Sequence, residues 1–249
     1  MLKEKFDLTG RTALVTGSAR GIGRAIALGL AEFGAHVIVH GSKESAPLDE
    51  ALALARKFDP KAERWVANLG DPAAVETLPK GIDILVCNAS IQSNLKWHEV
   101  PRETVLEQMQ VNFNATFRMF QLCYPHMRER GWGRLITVGS VQERRPHPEM
   151  PIYSASKSAQ ENLVRSVARQ VAAEGITVNN LCPGVFFTDR NRAALTDPVY
   201  GPRVTNAIPM HDYAKPEDAA GAAVLLASPA GRYITGATIM VDGGLSLPG

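Results

Sequence analysis

The chain contains 249 residues, of which 45% are hydrophobic and 21% are charged, and its formal net charge is +2. A chain of this length and composition can bury the core of one α/β domain. The small net charge, with Lys and Arg spread along the chain, argues against a nucleic-acid-binding protein.

Seven short segments rich in β-branched residues are predicted to be strands. Most of them are continuously apolar instead of alternating, which is typical of parallel strands covered on both faces. The predicted strands are residues 11–16, 36–40, 63–67, 82–87, 133–139, 175–182 and 237–242.

Helical patterns lie between these strands. Apolar residues recur at positions 22, 26, 30 and 33, and the pattern stops at Gly34, which predicts a helix over residues 21–34. Residues 102–130, 153–175 and 215–228 are predicted to be helical as well. Because alternating strands and helices favour a parallel sheet with right-handed crossovers, we expect one doubly wound α/β domain over residues 1–249.

The least regular stretch of the chain is residues 188–213. Its Pro and Gly residues interrupt any long helix. Long irregular segments often close over a ligand, so we predict that this stretch is a mobile flap beside the functional site.

Cysteine and histidine give no sign of a disulfide framework or a metal centre. The three Cys residues are far apart, and no C-x-x-C or H-E-x-x-H motif occurs. The amino-terminal residues lack an apolar signal segment, and the chain has no run of 18 apolar residues. We therefore expect a cytoplasmic protein with no bound metal and no membrane partner.

The first predicted strand leads directly into TGSARGIG, residues 16–23, and then into the first predicted helix. Glycines at such a junction let the backbone approach a pyrophosphate, and the helix N-terminus offers free N–H groups to it. Tight glycine turns also form for packing alone, so the spacing by itself is a weak signal. Its position between the first strand and the first helix favours nucleotide binding.

A serine, a tyrosine and a lysine indicate proton-transfer chemistry. Ser140 follows the fifth strand, at the sheet edge where ligands of open α/β folds bind. Tyr153 and Lys157 are four residues apart on a predicted helix and therefore share one face. A phenol is a poor base at neutral pH, but a neighbouring ammonium is expected to lower its pKa. Tyr153 can then exchange a proton with an alcohol or ketone oxygen that Ser140 hydrogen-bonds.

Several segments, in order along the chain, resemble the short-chain dehydrogenase/reductase family: TGSARGIG, ILVCNAS, VNFNA, YSASK, ITVNNLCPG and IMVDGG. This resemblance covers essentially the whole chain and implies a Rossmann-type fold, a nicotinamide cofactor and hydride transfer at a carbon that bears oxygen. It implies that Asn112, Ser140, Tyr153 and Lys157 are catalytic, with a water near Asn112 that links Lys157 to solvent. It also implies a homotetramer.

The same resemblance assigns the cofactor contacts. Two positions depart from the family pattern, because Ser90 replaces a glycine and Asn68 stands where an Asp is common. Asn68 can both donate and accept hydrogen bonds, so it remains a candidate contact for adenine. The implied cofactor-binding residues are Gly17, Ser18, Arg20, Gly21, Ile22, Gly23, Gly41, Ser42, Lys43, Asn68, Leu69, Asn88, Ala89, Ser90, Tyr153, Lys157, Pro183, Gly184 and Thr188.

The end of the second strand indicates which cofactor binds. In VIVHGSKES, residues 37–45, Gly41 stands where an NAD-dependent enzyme commonly has a carboxylate for the ribose hydroxyls. Ser42 and Lys43 follow it, and Arg20 lies in the glycine turn, so a hydroxyl and two cations are available for a 2′-phosphate. We therefore favour NADP(H). The alternative is that Lys43 points into solvent and the cofactor is NAD(H).

The substrate is expected to be a small molecule. The opening segment FDLTGRTALVTG and the tail from Thr188 to VDGG resemble a branch of gluconate 5-dehydrogenases and ketogluconate reductases. This resemblance implies a sugar acid or polyol as substrate. A 3-oxoacyl-[acyl-carrier-protein] reductase carries the same motifs, and an NADP-binding sensor without activity is a third hypothesis. Arginines after Ser140 and in the flap can bind a carboxylate, although each can equally be solvated. The candidate substrate residues are Gln92, Gln142, Arg144, His147 and Arg190.

Overall fold

Seven strands, all paired in parallel, form one sheet in the computed structural model, which describes residues 1–248. The strands are β1 (Thr12–Val15), β2 (His36–Gly41), β3 (Glu63–Val66), β4 (Ile84–Cys87), β5 (Gly133–Val138), β6 (Ile176–Pro183) and β7 (Thr238–Val241). Their order across the sheet is β3-β2-β1-β4-β5-β6-β7. The predicted doubly wound, Rossmann-type sheet is therefore confirmed, and each predicted strand is present.

Helices connect the strands and cover both faces of the sheet. They are α1 (Gly21–Glu32), α2 (Ala46–Ala55), α3 (Pro72–Val75), α4 (Arg102–Met109), α5 (Ala115–Glu129), α6 (Pro151–Val171), α7 (Arg192–Leu195), α8 (Tyr200–Ala207) and α9 (Ala220–Ala227). Helices α1, α6 and α9 match the predictions within a few residues at their ends. The sequence patterns do not predict α2 and α3, which are short and carry Pro in their first turns.

Apolar side chains fill the space between the sheet and the helices on each face. On one face, Leu30 of α1 and Val224 of α9 belong to a cluster with Val37 of β2. On the other face, Met119 of α5 packs in a cluster with Val164 of α6. Burying each side chain of this size contributes roughly 1.5–3 kcal/mol, so the sheet is a firm support for the loops at its carboxyl edge.

The helix predicted over residues 102–130 is interrupted. A π-helical turn, Gln110–Asn114, separates α4 from α5, and the Ala115 N–H donates to the Gln110 carbonyl five residues earlier. Single π turns within helices are frequent at functional sites. Asn112 lies in this turn and is fully buried, so the interruption accompanies a polar side chain inside the protein.

The stretch predicted to be irregular, residues 188–213, contains the two short helices α7 and α8. A parallel bridge between Phe186 and Ala214 closes its base. There the Phe187 N–H donates to the Ala214 carbonyl at 2.8 Å, and the Ala214 N–H donates to the Val185 carbonyl at 3.1 Å. The segment is therefore tied to the fold at both ends, and its mobility stays a prediction.

Within residues 1–248, no helix combines the length and the apolar character that a membrane span requires. Cys87, Cys123 and Cys182 are free thiols and are buried. Burial raises the pKa of the Cys87 thiol to about 12. It therefore behaves as a small apolar group at neutral pH.

Candidate active site

A cleft of about 1340 Å³ lies at the carboxyl edge of the sheet, where the strand order reverses between β1 and β4. Ligands of open α/β sheets bind at such a point. The cleft is lined by most of the predicted site residues: Gly17, Arg20, Gly21, Ile22, Gly23, Gly41, Ser42, Asn68, Leu69, Asn88, Ala89, Ser90, Gln92, Ser140, Gln142, His147, Tyr153, Lys157, Pro183, Gly184, Thr188 and Arg190.

Four predicted site residues do not line this cleft: Ser18, Lys43, Asn112 and Arg144. Ser18 is fully buried inside the glycine turn, and Lys43 is an exposed side chain after β2. The Arg144 guanidinium binds the Glu161 carboxylate on α6 at 2.5 Å. Lys43 therefore lies outside the cleft lining and Arg144 is held by an ion pair, and the expected ligand contacts of both stay predictions.

The glycine turn has a backbone conformation that favours glycine. Gly17 and Gly21 have φ values of +65° and +57°, in the left-handed region. A Cβ on Gly23 would lie 2.6 Å from the Gly17 carbonyl oxygen and closer still to Asn88 Nδ2. Arg20 precedes α1 without a side-chain hydrogen bond to its first turn. The amide groups at this helix N-terminus are thus available to a phosphate, so the turn fits a pyrophosphate.

Asn88 holds the glycine turn against the end of β4. Its Nδ2 donates to the carbonyls of Thr16 and Gly17 at 2.8 and 3.2 Å. In return, Thr16 Oγ1 accepts the N–H groups of Asn88 and Ala89, each at 3.0 Å. Ser90, the residue in place of the family glycine, does not have a positive φ. The substitution therefore places no left-handed strain on the backbone at this position.

His40 belongs to the same part of the site, although the sequence patterns do not identify it. Its Nδ1 accepts the Gly17 N–H at 2.9 Å, and its Nε2 lies 3.0 Å from the Ala67 carbonyl. These contacts assign the ring proton to Nε2. Burial lowers the pKa of His40 to about 4, so the ring is neutral at physiological pH. His40 thus links the glycine turn to Ala67, and the only sequence signal for this role is a polar residue at the end of an apolar strand.

The end of β2 carries no acidic group toward the cleft. Gly41 and Ser42 line it, together with Arg20 from the glycine turn. The first carboxylate after β2 is that of Glu44, and it binds Arg64 at 3.1 Å. At this edge of the cleft, Ser42 therefore presents a hydroxyl and Arg20 a guanidinium, and both groups can donate hydrogen bonds to a phosphate.

Tyr153 and Lys157 lie on one face of α6, as their spacing predicts, and both line the cleft. Lys157 Nζ donates to the carbonyl of Val138, at the end of β5, at 2.7 Å. It lies 5.7 Å from the centre of the Tyr153 ring. The strand end thus fixes the ammonium, and the ammonium lies close to the phenol.

Burial raises the pKa of Tyr153, although the Arg190 guanidinium and the hydroxyls of Ser140 and Ser90 act to lower it. The expectation that the phenol has a lowered pKa is wrong in this structure, because desolvation of the phenolate outweighs the nearby charges. Burial also lowers the pKa of Lys157 to about 8. At neutral pH Tyr153 is therefore a proton donor, and Lys157 is close to its titration point.

Asn112 is fixed in the π turn by its own side chain. Its Oδ1 accepts the Ile91 N–H and its Nδ2 donates to the Ile91 carbonyl, both at 2.9 Å. The same Nδ2 donates to Ser156 Oγ at 3.0 Å. Asn112 therefore joins the loop after β4 to α6 next to Lys157, and the water relay expected there stays a prediction.

Arg190 reaches from the flap to the loop after β4. Its Nη2 donates to the Ser90 carbonyl at 2.9 Å, and its charge lowers the pKa of both Tyr153 and Lys157. The neighbouring Asp189 binds Arg192 instead, at 3.3 Å. The Arg190 guanidinium is therefore an exposed positive charge close to the proton-transfer groups.

The cleft and its glycine turn have counterparts in known proteins. A family model described as enoyl-(acyl carrier protein) reductase matches residues 17–246. Gluconate 5-dehydrogenase of Gluconobacter oxydans (strain 621H) is 34% identical, and the alignment covers 97% of each chain. A 3-oxoacyl-[acyl-carrier-protein] reductase of Haemophilus influenzae is 36% identical, with 96% of this chain and 100% of the relative covered.

The similar solved structures also include a gluconate 5-dehydrogenase and a 3-oxoacyl-(acyl-carrier-protein) reductase. A gluconate 5-dehydrogenase from Burkholderia cenocepacia J2315, in complex with NADP and tartrate, has a TM-score of 0.91 and 34% identity, with 100% of both chains covered. A 3-oxoacyl-(acyl-carrier-protein) reductase from Agrobacterium tumefaciens C58, with NADP bound, has a TM-score of 0.91 and 38% identity. That comparison covers 98% of this chain and 97% of the relative.

Proposed function

Since the chain belongs to the short-chain dehydrogenase/reductase family, we propose that it transfers a hydride between NADP(H) and a secondary alcohol or ketone of a sugar acid. The observation that carries this proposal is the exposed Arg190 guanidinium beside the buried Tyr153 phenol. Tyr153 can donate a proton to the substrate oxygen, and Arg190 can bind a substrate carboxylate in the same part of the cleft. A hydroxy or keto acid engages both groups at once.

The glycine turn and the neighbouring strand ends would hold the cofactor. The N-terminus of α1 suits the diphosphate, and Asn68 offers hydrogen bonds to adenine. Arg20 and Ser42 suit a 2′-phosphate, and Gly41 provides no carboxylate to repel it. NADP(H) is therefore the proposed cofactor, with NAD(H) as the alternative, and Pro183, Gly184 and Thr188 would contact the nicotinamide.

Proton transfer is assigned to the groups beside β5 and on α6. The bound nicotinamide supplies or accepts the hydride. Ser140 hydrogen-bonds the substrate oxygen, and in ketone reduction Tyr153 gives its proton to that oxygen. The Lys157 ammonium stabilises the phenolate that results and returns a proton to it. Asn112 anchors the loop and the helix that hold these groups, and alcohol oxidation moves the same proton in reverse.

The alternative function is reduction of a 3-oxoacyl group on acyl-carrier protein, which relatives of that name support equally by sequence. In that case exposed arginines would contact an acidic carrier protein instead of a substrate carboxylate. A sensor that binds NADP without turnover is the third hypothesis. The presence of Ser140, Tyr153 and Lys157 in one cleft favours an active enzyme over a sensor.

One assay separates these functions. NADPH oxidation is followed with 5-ketogluconate and, separately, with an acetoacetyl thioester. We expect turnover with the sugar acid and much weaker turnover with the thioester. Activity on the thioester alone would reject the sugar acid as substrate, and NADPH binding without turnover on either would favour the sensor.

The proposed enzyme is cytoplasmic and homotetrameric. Its three thiols are free, which suits a reducing compartment. Leu106 on α4 and Phe117 on α5 are exposed apolar residues at 54% and 42%, which suits helices that pack against a second copy. Light scattering should give four times the mass of one chain, and a monomer mass would reject this assembly.

A further inference from the structure

Glu143 is an acid beside the site that the proposed proton transfer does not use. It ends the short 3₁₀ turn Val141–Glu143, which begins directly after Ser140. Its Oε1 accepts the backbone N–H of Ser140 at 3.0 Å, and Ser140 Oγ accepts the Gln142 N–H at 3.2 Å. The two residues form a capping box, so the carboxylate fixes the backbone that carries the Ser140 hydroxyl.

The second carboxylate oxygen connects this turn to the centre of the sheet. Glu143 Oε2 accepts from Asn180 Nδ2 at 2.9 Å, and Asn180 Oδ1 accepts from Thr137 Oγ1 at 2.8 Å. Thr137 and Asn180 are register partners on β5 and β6 and are fully buried. A continuous chain of hydrogen bonds therefore runs from two buried strands, through Glu143, to Ser140.

Gly139 leaves the space in which this carboxylate lies. A Cβ at Gly139 would be 2.6 Å from Asn180 Oδ1 and closer still to Glu143 Oε1. The φ of Gly139 is not positive, so glycine is required here by the close approach and not by the backbone angle. The sequence GSVQE, residues 139–143, therefore provides both the acid and the room for it.

Glu143 and Lys157 bind backbone groups two residues apart, since Lys157 Nζ donates to the Val138 carbonyl and Glu143 Oε1 accepts the Ser140 N–H. The charge of Glu143 favours the ammonium form of Lys157, whereas Arg190 and burial favour the neutral amine. The other titratable groups around Lys157 are the thiols of Cys87 and Cys182, whose pKa values burial raises, and the Tyr153 phenol. Glu143 is the carboxylate among these groups, and it does not line the cleft.

We propose that Glu143 is a positioning residue for proton transfer, whose carboxylate holds the Ser140 turn in place and keeps Lys157 in its ammonium form. This inference rests on the proposed function for the roles of Ser140 and Lys157. Glu143 acts through these two residues and does not touch the substrate. A purely structural acid would change stability without changing the protonation of Lys157.

The variant Glu143→Gln tests the role of the charge. A Gln side chain still accepts the Ser140 N–H, and Asn180 can rotate its amide to match it while the Thr137 hydroxyl reverses its role. We expect the titration of Lys157 to move to lower pH by about one unit, because an opposite charge is lost. The alkaline loss of ketone reduction should move with it, while the Kd for NADPH stays within about twofold.

The titration is measured without turnover, from the ¹³Cε resonance of Lys157 in lysine-labelled protein. The resonance is assigned by its absence in Lys157→Met. A matched control is Glu161→Gln, which removes a buried acid that binds Arg144 and Arg165 on the neighbouring surface. We expect this control to lower thermal stability and to leave the pH profile of reduction in place.

A second variant, Asn180→Ala, separates position from charge. It retains the Glu143 carboxylate and removes one hydrogen bond that holds it. We expect kcat to fall about tenfold, the size of one lost hydrogen bond of this kind, with the Lys157 titration unchanged. Circular dichroism checks that the variant is folded, and an unchanged kcat in the folded variant would reject the positioning of Ser140.

A failure of the Glu143 proposal can be told apart from a failure of the proposed function. A Lys157 resonance that titrates in Glu143→Gln as it does in the wild type overturns the role of the charge, whatever the activity. A wild-type protein that binds NADPH and reduces no ketone rejects the proposed function. In that case the Lys157 titration still decides whether Glu143 holds the ammonium form.

Discussion

The two sides of the cleft are held together in different ways. The cofactor wall (residues 16–23, 40–42, 67–69 and 88–90) is fixed by bonds among its own buried atoms, such as those of His40 with Gly17 and Ala67. The substrate wall (residues 140–150 and 188–213) presents exposed side chains, of which Arg190 is tied only to the Ser90 carbonyl and hydroxyl. Backbone geometry therefore sets what the first wall binds, whereas side-chain chemistry sets what the second selects.

Tyr153 lies between the two walls, and its replacement is expected to have the largest effect. Tyr153→Phe keeps the ring and removes the proton that the substrate oxygen needs. We expect kcat to fall by about 10²- to 10⁴-fold, the usual contribution of a general acid. The Kd for NADPH, measured by fluorescence titration, should change little, because the cofactor wall is intact. Turnover near the wild-type rate would assign the proton donor elsewhere.

Arg190→Ala tests the substrate wall alone. Loss of a charged hydrogen bond to a carboxylate should lower kcat/KM for 5-ketogluconate by about 10- to 100-fold. The Kd for NADPH should stay close to that of the wild type. The measurement is a steady-state series with the keto acid and with a neutral ketone. An equal loss for both substrates would show that Arg190 shapes the flap and does not recognise charge.

Arg144→Ala is the matched control for this comparison. Arg144 was predicted as a substrate residue on the same wall, but its guanidinium binds Glu161 outside the cleft. We expect kcat/KM for the keto acid to change less than about twofold, because the Arg144 side chain does not line the cleft. A loss as large as that of Arg190→Ala would show that Arg144 leaves Glu161 to bind the substrate carboxylate.

The glycine turn of the cofactor wall was predictable because its backbone angles and close contacts allow only glycine at several positions. Gly17, Gly21 and Gly23 are dictated by positive φ or by close approach, and such needs restrict a position to one residue type. The strands were predictable for a similar reason, since continuous apolar runs mark parallel strands covered on both faces. The place of the cleft then follows from the strand order.

The remaining parts of the site depend on partners that are distant in sequence. His40 meets Ala67, and Glu143 meets Asn180, and no local pattern predicts either pairing. The ion pair of Arg144 with Glu161 and the exposed position of Lys43 are equally invisible to spacing. The pKa of Tyr153 failed as an expectation because burial, which a motif does not reveal, outweighs the charges nearby.

His40 provides a test of how rigidly the cofactor wall is held. Because the folded-state pKa of about 4 lies below the unperturbed 6.5, its stabilising contribution is complete above pH 6.5 and is lost as the pH falls toward 4. Between pH 7 and pH 5 the free energy of unfolding should fall by about 2 kcal/mol through this group. Urea titrations of the wild type and of His40→Gln measure the difference.

In His40→Gln, the free energy of unfolding should no longer show this decrease between pH 7 and pH 5. The variant should also be less stable than the wild type at pH 7. It should also bind NADPH more weakly, because the Gly17 N–H loses its partner and the glycine turn loosens. An identical decrease between pH 7 and pH 5 in both proteins would mean that other groups cause the acid loss.

Among the variants of residues proposed to bind cofactor or substrate, Arg20→Ala is expected to have the smallest effect, because it changes one exposed charge on an otherwise rigid wall. The Kd for NADPH should rise about tenfold, and the Kd for NADH should change less than about twofold, since only NADPH carries the 2′-phosphate. Added salt should narrow this difference by screening the ion pair. Lys43→Ala is the matched control, and its side chain lies outside the cleft lining, so it should weaken NADPH binding less. If Lys43→Ala had the larger effect, the charge that selects NADPH would lie on the loop after β2 and not on the glycine turn.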